Sequence, residues 1–124
     1  MPKWHILGPL TPLPAAGDTQ ARDHGDAMYF IILATDKPNA TQIRQQARPA
    51  HLDYIAGFGT QIVAAGATLS DDGTAMTGSF ILVDMPDRGA VEEYVRNDPY
   101  VKAGLFERVE IRRWRKVIFH PPAE

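Results

Sequence analysis

Two apolar runs dominate this sequence, and in both of them odd and even positions are equally hydrophobic. The first run is "MYFIILA" at 28–34, and the second is "GSFILVDM" at 78–85. Because alternate side chains of a strand point to opposite faces, each run predicts a strand that is buried on both sides. An antiparallel sheet with one face in water normally carries polar residues on that face. A fold for this chain must therefore cover both faces of its sheet.

The rest of the pattern places helices between the strands. The further predicted elements are a helix over 41–59, a short strand over 61–67, a helix that begins at 86–87 and a long charged strand over 107–119. Thr41 is the candidate N-cap of the first helix, and Pro49 either bends that helix or starts a second segment. The order β-α-β-β-α-β predicts an α+β, ferredoxin-like fold, with an antiparallel sheet and both helices on one face.

Two helices on one side leave the other apolar face of this sheet uncovered. Soluble chains rarely expose a large apolar patch, and isologous dimers commonly bury one. We therefore expect a homodimer that packs sheet against sheet. The N-terminal segment is the alternative cover for the same face.

Composition divides the 124 residues into three parts. Residues 1–27 contain four prolines and a polar stretch, which predicts an N-terminal extension or arm. Residues 28–120 are long enough for one domain, and we assign the ferredoxin-like domain to them. Residues 121–124 begin with two prolines and are predicted to be a C-terminal tail.

Charge and cysteine usage exclude several classes of protein. The formal net charge is −2, so there is no overall attraction to nucleic acid or to anionic membranes. The basic stretch "RRWRK" at 112–116 lies on a predicted strand, where its charges alternate between faces. No apolar run approaches the roughly 20 residues of a membrane span. The absence of cysteine fits the reducing cytoplasm, where we expect the protein to work.

Metal and cofactor motifs are missing from the sequence. His5, His24 and His120 lie in flanking segments and lack the spacing of metal ligands. No glycine-rich phosphate-binding motif is present, and "TGSF" is not the nucleophile turn of a serine hydrolase. We therefore expect neither a metal nor a cofactor.

His51, in "RPAHLDYI", lies on the apolar stripe of the first predicted helix with Ile55 at i+4. A buried imidazole needs a hydrogen-bond partner, and a backbone carbonyl would make His51 an ordinary core residue. A carboxylate partner would instead orient it as a general base. Asp98, in "NDPY", is the candidate, although the same side chain is equally suited to cap the turn that follows.

Four stretches of the chain resemble a known family in their order and spacing. They are "MYFIILATDKPNA", "RPAHLDYI", "TGSFILVDM" and "NDPYVKAGLFERVEIRRWRKV", and together they are similar to the YciI-like, or YCII-related, domain family over residues 28–118. The resemblance implies a dimeric α/β-barrel and an active-site His–Asp pair, which corresponds to His51 and Asp98. Members of the family often carry Gly-Pro after the second strand, whereas this chain has Gly66 followed by alanine.

Five further residues are candidates for binding a substrate. Arg48 can hold a carboxylate or phenolate, or it can form a surface salt bridge. Ser79 can donate to an oxyanion or bond to backbone at its strand end. Tyr54 and Tyr100 can wall a pocket or belong to the core. Gly66 lies in a segment that we expect to line the cleft.

These observations support two hypotheses about function. The first is a cofactor-independent enzyme of lyase or isomerase type, for example a dehydrohalogenase that acts on a small organic acid. In it His51 is the general base and Asp98 orients it, while Arg48 and Ser79 hold developing negative charge. The alternative is a non-enzymatic, small-ligand-binding or regulatory dimeric module that uses the same cleft.

Overall fold

The computed structural model describes residues 6–7 and 27–122. In this part of the chain there are five strands, three α-helices and one 3-10 turn. They are β1 (Ile6–Leu7), β2 (Tyr29–Asp36), α1 (Thr41–Ala56), the 3-10 turn (Gly59–Gln61), β3 (Ile62–Leu69), β4 (Met76–Asp84), α2 (Arg88–Asn97), α3 (Pro99–Lys102) and β5 (Phe106–Trp114). No helix in these ranges is long and apolar enough to cross a membrane.

The sheet has the strand order β1-β5-β2-β4-β3. The four strands from β2 to β5 pair antiparallel, in the order expected of a ferredoxin-like fold. This confirms the predicted α+β topology. Strand β1 adds a fifth strand parallel to β5, with Ile6 in register with Val109. It was not predicted, and the rest of the proposed arm up to residue 26 lies outside the described residues.

The two faces of the sheet differ in burial. Phe30 and Ile32 of β2 are buried in one cluster with Val91, Tyr94 and Val95 of α2. The helices therefore cover that face. The opposite face carries apolar side chains that are only half-buried or exposed in the single chain: Tyr29, Ile31, Leu33, Phe80 and Leu82. Both faces are apolar, as the alternation in the sequence indicates.

Helix α1 departs from its prediction at both ends. Thr41 is not the N-cap, because Ala40 occupies that position without a side-chain hydrogen bond. The helix ends at Ala56, with Gly57 as its C-cap, so the predicted extension to residue 59 is wrong. It runs continuously through Pro49. Pro49 has no backbone N–H, so the carbonyl of Gln45 loses its helical hydrogen bond. Gln45 is exposed, and water can bond to this carbonyl instead.

The strand ends also differ from the predicted bounds. Strand β3 continues to Leu69 and β4 begins at Met76, because the six residues between them form a tight turn. Strand β5 stops at Trp114 rather than at residue 119. Its pairing with β2 explains this, since Trp114 pairs with Tyr29, the first residue of β2, which offers no partner residue beyond that point.

Candidate active site

His51 and Asp98 lie next to each other although they come from different elements. His51 projects from α1, and Asp98 stands between α2 and α3. The distance from Nδ1 of His51 to Oδ1 of Asp98 is 2.9 Å, and the two residues are 7% and 2% exposed. The same Asp98 oxygen accepts from the backbone N–H of Tyr100 at 2.9 Å and so caps α3. Asp98 is therefore both the turn cap and the partner of the histidine.

This hydrogen bond fixes the state of the imidazole ring. A carboxylate can only accept, so Nδ1 of His51 carries the proton and donates it to Asp98. In the neutral ring Nε2 then holds the free electron pair. Nε2 has no hydrogen-bond partner in the described part of the chain, and the ring lines a cavity. An imidazole arranged in this way can accept a proton from a molecule in that cavity.

Tyr100 holds the plane of the imidazole. Its ring is stacked on that of His51, with centroids 3.9 Å apart and an interplanar angle of 14°. Phe106 packs edge-on against the other ring of this stack, Tyr100, at 5.9 Å. Tyr100 is only 2% exposed and cannot move aside. His51 and Phe106, which pack against it, therefore cannot rotate without disturbing the core.

A buried arginine forms the floor beside this stack. Arg44 of α1 contacts Asp36 through Nε and Nη2, and Nη2 also reaches the carbonyl of Gly78 and Oγ of Ser79, each at 2.9 Å. Burial lowers the pKa of Arg44, but hydrogen bonding and attraction from Asp36 outweigh it and raise that pKa. The guanidinium is therefore a permanent, fixed cation that ties the end of β2 to α1 and β4.

The backbone of β4 is shaped to accept this arginine. A Cβ at Gly78 would lie 2.1 Å from the carbonyl oxygen of Ala34, so only glycine allows the strands to approach here. Ser79 accepts from Arg44 through its Oγ. Its hydroxyl proton is therefore left to donate elsewhere, and Ser79 lines the cavity.

The cavity itself has a volume of about 290 Å³. Its polar walls come from Arg44, Arg48, His51, Ser79 and Tyr100. Its other side is formed by the small residues of β3 (Ala65, Gly66, Ala67), with Leu52, Ile55, Met76 and Ile81 completing the lining. Such a site, apolar with a few convergent polar groups, is typical for a small organic ligand.

Most of the predicted binding residues meet at this cavity. Arg48, Ser79, Tyr100 and Gly66 line it together with His51. Arg48 is exposed and forms no ion pair within the described residues, so the alternative of a surface salt bridge is not seen. Gly66 lies within β3 rather than in a loop after it, because that strand continues to Leu69.

Tyr54 is the predicted site residue that the structure places elsewhere. Its hydroxyl donates to the backbone carbonyl of Tyr94 at 2.9 Å, and its ring stacks on the Tyr94 ring. It lines a second cavity, between α1 and α2, in place of the one beside His51. These contacts with Tyr94 of α2 hold the Tyr54 ring away from His51.

Two residues of the site were missed from the sequence, Arg44 and Asp36. Arg44, Arg48 and His51 follow one another at spacings of four and three, so they share a helix face. That spacing was the available signal for Arg44. Asp36 had no signal of its own, because its role depends on the contact between the end of β2 and α1.

The chain is similar to known proteins of one family. The YCII-related domain family matches residues 28–115. The chain belongs to this family. It is 31% identical over 97 residues to the protein YciI of Escherichia coli O6:H1, an alignment that covers 73% of this chain and 99% of that protein. An uncharacterized protein of Haemophilus influenzae is 28% identical over 97 residues, which again cover 73% of this chain and 99% of that protein.

This YCII-related protein is also similar to a solved structure. It is 5-chloro-2-hydroxyhydroquinone dehydrochlorinase (TftG) from Burkholderia phenoliruptrix AC1100, in complex with 2,5-dihydroxybenzoquinone. The identity is 36%, the TM-score is 0.66, and the match covers 71% of this chain and 94% of that one. The chain is thus similar in sequence and fold to an enzyme that acts on a small chlorinated ring compound.

The described residues hold no obvious metal centre. No three histidine, aspartate or glutamate side chains converge within residues 27–122. The carboxylates at the site are each engaged, Asp36 by Arg44 and Asp98 by His51.

Proposed function

We propose that this YCII-related protein is a cofactor-independent enzyme of lyase or isomerase type that removes a proton from a small, enolisable organic acid. The observation that supports this most is the buried hydrogen bond of 2.9 Å between His51 and Asp98, with the ring of His51 at a cavity wall. A backbone carbonyl in place of Asp98 would also orient the ring, but it would lack the negative charge that stabilises the imidazolium.

In the proposed elimination, Nε2 of His51 takes a proton from a carbon or a hydroxyl of the substrate. The electron pair of the broken C–H or O–H bond forms a carbon–carbon or carbon–oxygen double bond, and the bond from a saturated carbon to the leaving group breaks with its electrons. A hydroxylated chloroarene has such a carbon in its keto tautomer, where the ring double bond shifts as the C–Cl bond breaks. For a chlorinated substrate the products are the unsaturated compound and HCl, so no oxidant or reductant is needed. Asp98 stabilises the imidazolium that forms, and Arg48 and Ser79 hold negative charge on substrate oxygen.

The similarity to TftG favours dehydrochlorination of a hydroxylated ring as the first reaction to test. The purified protein is incubated with 5-chloro-2-hydroxyhydroquinone, and released chloride is measured. We expect chloride release by the wild type, and a loss of at least about 100-fold in His51→Ala. His120→Ala is the matched control, since His120 is exposed and does not line the cavity.

Two results decide against this proposal. Chloride release by His51→Ala at the wild-type rate excludes His51 as the base. Stabilisation of the wild type by 2,5-dihydroxybenzoquinone, without chloride release from the chlorinated compound, favours the alternative of a small-ligand-binding module. In that case the cavity binds a related compound and does not transform it.

We also propose that the protein works as a homodimer in the cytoplasm, with the uncovered sheet face as the interface. Support comes from the exposure of that face in the single chain, where Phe80 is 37% exposed among half-buried apolar neighbours. Packing two such faces together buries apolar area that would otherwise contact water.

A further inference from the structure

One aromatic ring of the site contacts both its base and its buried cation. The ring of Tyr100 stacks on His51 at 3.9 Å, and Cζ of Arg44 lies 4.8 Å from the centroid of the same ring. Tyr100 therefore bridges the part of the cavity where a proton is taken and the part where positive charge is fixed. Arg44 and Arg48 line the same cavity as Tyr100, and both of them lower the pKa of its hydroxyl. The hydroxyl is therefore associated with the part of the cavity that carries positive charge.

Burial keeps the Tyr100 hydroxyl protonated. Burial raises the pKa of Tyr100, while Arg44 and Arg48 pull it down and Asp98 pushes it up, with a net rise. At neutral pH the hydroxyl is thus an uncharged donor with two guanidinium groups nearby. A donor placed in this way suits an oxygen atom that carries negative charge.

One cation at the cavity has no carboxylate beside it. The cation of Arg44 is paired with Asp36 at 2.9 Å, and Asp98 is engaged by His51. Arg48, which also lines the cavity, has no carboxylate partner within the described residues. The guanidinium of Arg48 is therefore available to a negatively charged ligand.

We propose that Tyr100, Arg44 and Arg48 form an anion subsite that selects substrates with an acidic ring or enol oxygen. The Tyr100 hydroxyl donates a hydrogen bond to that oxygen and keeps its own proton. The subsite deepens the proposed function and rests on it for the reaction. Ligand binding by the subsite does not depend on that reaction. While His51 accepts the substrate proton, the subsite holds the ring or enol oxygen that carries negative charge as the bond to that proton breaks.

Tyr100→Phe removes only the hydroxyl. It keeps the ring that stacks on His51 and the backbone N–H that bonds to Asp98. Tyr54→Phe is the matched control, because the Tyr54 hydroxyl bonds to backbone and lines the other cavity. Arg48→Gln removes the uncompensated charge from an exposed position.

The test measures the dissociation constant of 2,5-dihydroxybenzoquinone, an acidic ring compound, by calorimetry with the wild type and each variant. Its neutral analogue 2,5-dimethoxybenzoquinone is measured in parallel. We expect Tyr100→Phe and Arg48→Gln each to weaken binding of the acidic compound about tenfold, as is usual when a hydrogen bond to a charged group is lost. Tyr54→Phe should bind as the wild type does, and the neutral analogue should bind at least about tenfold more weakly.

Three outcomes would overturn the subsite. They are no binding of the acidic compound by the wild type, equal binding of the neutral analogue, and wild-type affinity in Tyr100→Phe. The binding measurement does not depend on turnover. If the wild type binds as expected but releases no chloride from 5-chloro-2-hydroxyhydroquinone, the proposed elimination fails and the anion subsite stands.

Discussion

His51 and Tyr100 are held by the same oxygen atom. Oδ1 of Asp98 accepts from Nδ1 of His51 and from the backbone N–H of Tyr100, each at 2.9 Å, and the two rings stack at 3.9 Å. The imidazole and the ring stacked on it are therefore positioned as one unit. A change at Asp98 acts on the imidazole and on the start of α3 together.

Asp98→Asn tests this unit. The amide oxygen that this substitution introduces can still accept from Nδ1 of His51 and from the N–H of Tyr100, but it carries no negative charge to stabilise the imidazolium that forms. We expect the rate of the proposed elimination to fall by about 10²- to 10⁴-fold, the usual contribution of a general base. Imidazole nitrogen NMR reports the tautomer directly.

Asp87→Asn is the control for that substitution. Asp87 also caps a helix through its side chain, at the start of α2, but lies outside the cavity. Asparagine caps as well as aspartate, so activity should be unchanged. Wild-type activity in Asp98→Asn, with the tautomer of His51 retained, would contradict the role that we assign to the charge of Asp98.

Arg44→Met should destabilise the protein strongly. It leaves the carboxylate of Asp36 buried without its partner, and breaking one side of a buried ion pair typically costs about 3–5 kcal/mol. Denaturant unfolding measures the free energy change. Arg48→Met is the matched control, because Arg48 is exposed and unpaired in the described part, and it should change stability by no more than about 0.5 kcal/mol. Equal effects of the two substitutions would exclude a structural role for the buried pair.

Gly78→Ala should destabilise the sheet next to the site. The added Cβ would meet the Ala34 carbonyl oxygen at 2.1 Å, so β2 and β4 must separate, which costs about 1–3 kcal/mol by analogy with overpacked cores. Gly66→Ala is the control within the same cavity region, because nothing lies within 4 Å of a Cβ at Gly66. A thermal midpoint for Gly78→Ala equal to that of Gly66→Ala would contradict the close approach.

Tyr94→Phe addresses the dependence of stability on pH. Burial, and then the charge of Asp98, raise the pKa of Tyr94, whose hydroxyl has no hydrogen-bond partner among the described residues. The folded pKa exceeds the unfolded value of about 10, so this contribution to stability is complete below about pH 10 and is lost as the pH rises through the folded pKa.

The free energy of unfolding should therefore fall less steeply above about pH 10 in Tyr94→Phe than in the wild type. At neutral pH the substitution should be neutral or stabilising, since it removes an unsatisfied buried polar atom. Tyr54→Phe, which loses a hydrogen bond of 2.9 Å, should instead lose about 1 kcal/mol at neutral pH. Urea unfolding at a series of pH values measures both effects, and equal slopes for Tyr94→Phe and the wild type would refute the first.

Phe80→Glu tests the proposed dimer. The substitution places a charge in the middle of the uncovered sheet face, and burying it against a second sheet is unfavourable. We expect light scattering to give a dimer for the wild type and a monomer for Phe80→Glu, with Gln45→Glu on the exposed side of α1 remaining dimeric. A monomeric wild type at micromolar concentration would exclude the interface.

Local sequence patterns were sufficient to predict the fold and the face of α1 that carries His51. The apolar runs at 28–34 and 78–85 became β2 and β4, and the topology follows from the order of the elements. The position of His51 beside Asp98 needed the resemblance to a family as well, because nothing in local spacing brings α1 to the start of α3.

Three features of the structure depend on contacts between distant segments and not on local pattern. The end of β5 is set by where β2 begins, at Tyr29, rather than by its own sequence. Tyr54 follows His51 by three residues, yet α2 draws it into another cavity. The pairing of Arg44 with Asp36 joins a helix to a strand end, which no single periodic pattern reveals.

The cavity has one wall that is hard to change and one that is easy. Arg44 and His51 are fixed by buried partners, so the chemical groups are tied to the stability of the whole domain. The facing wall is β3, an edge strand whose Ala65, Gly66 and Ala67 are small and exposed. Larger side chains there would reshape the space for a substrate without touching the core. Such substitutions would change which ligands the cavity can hold while Arg44, His51 and their partners stay in place.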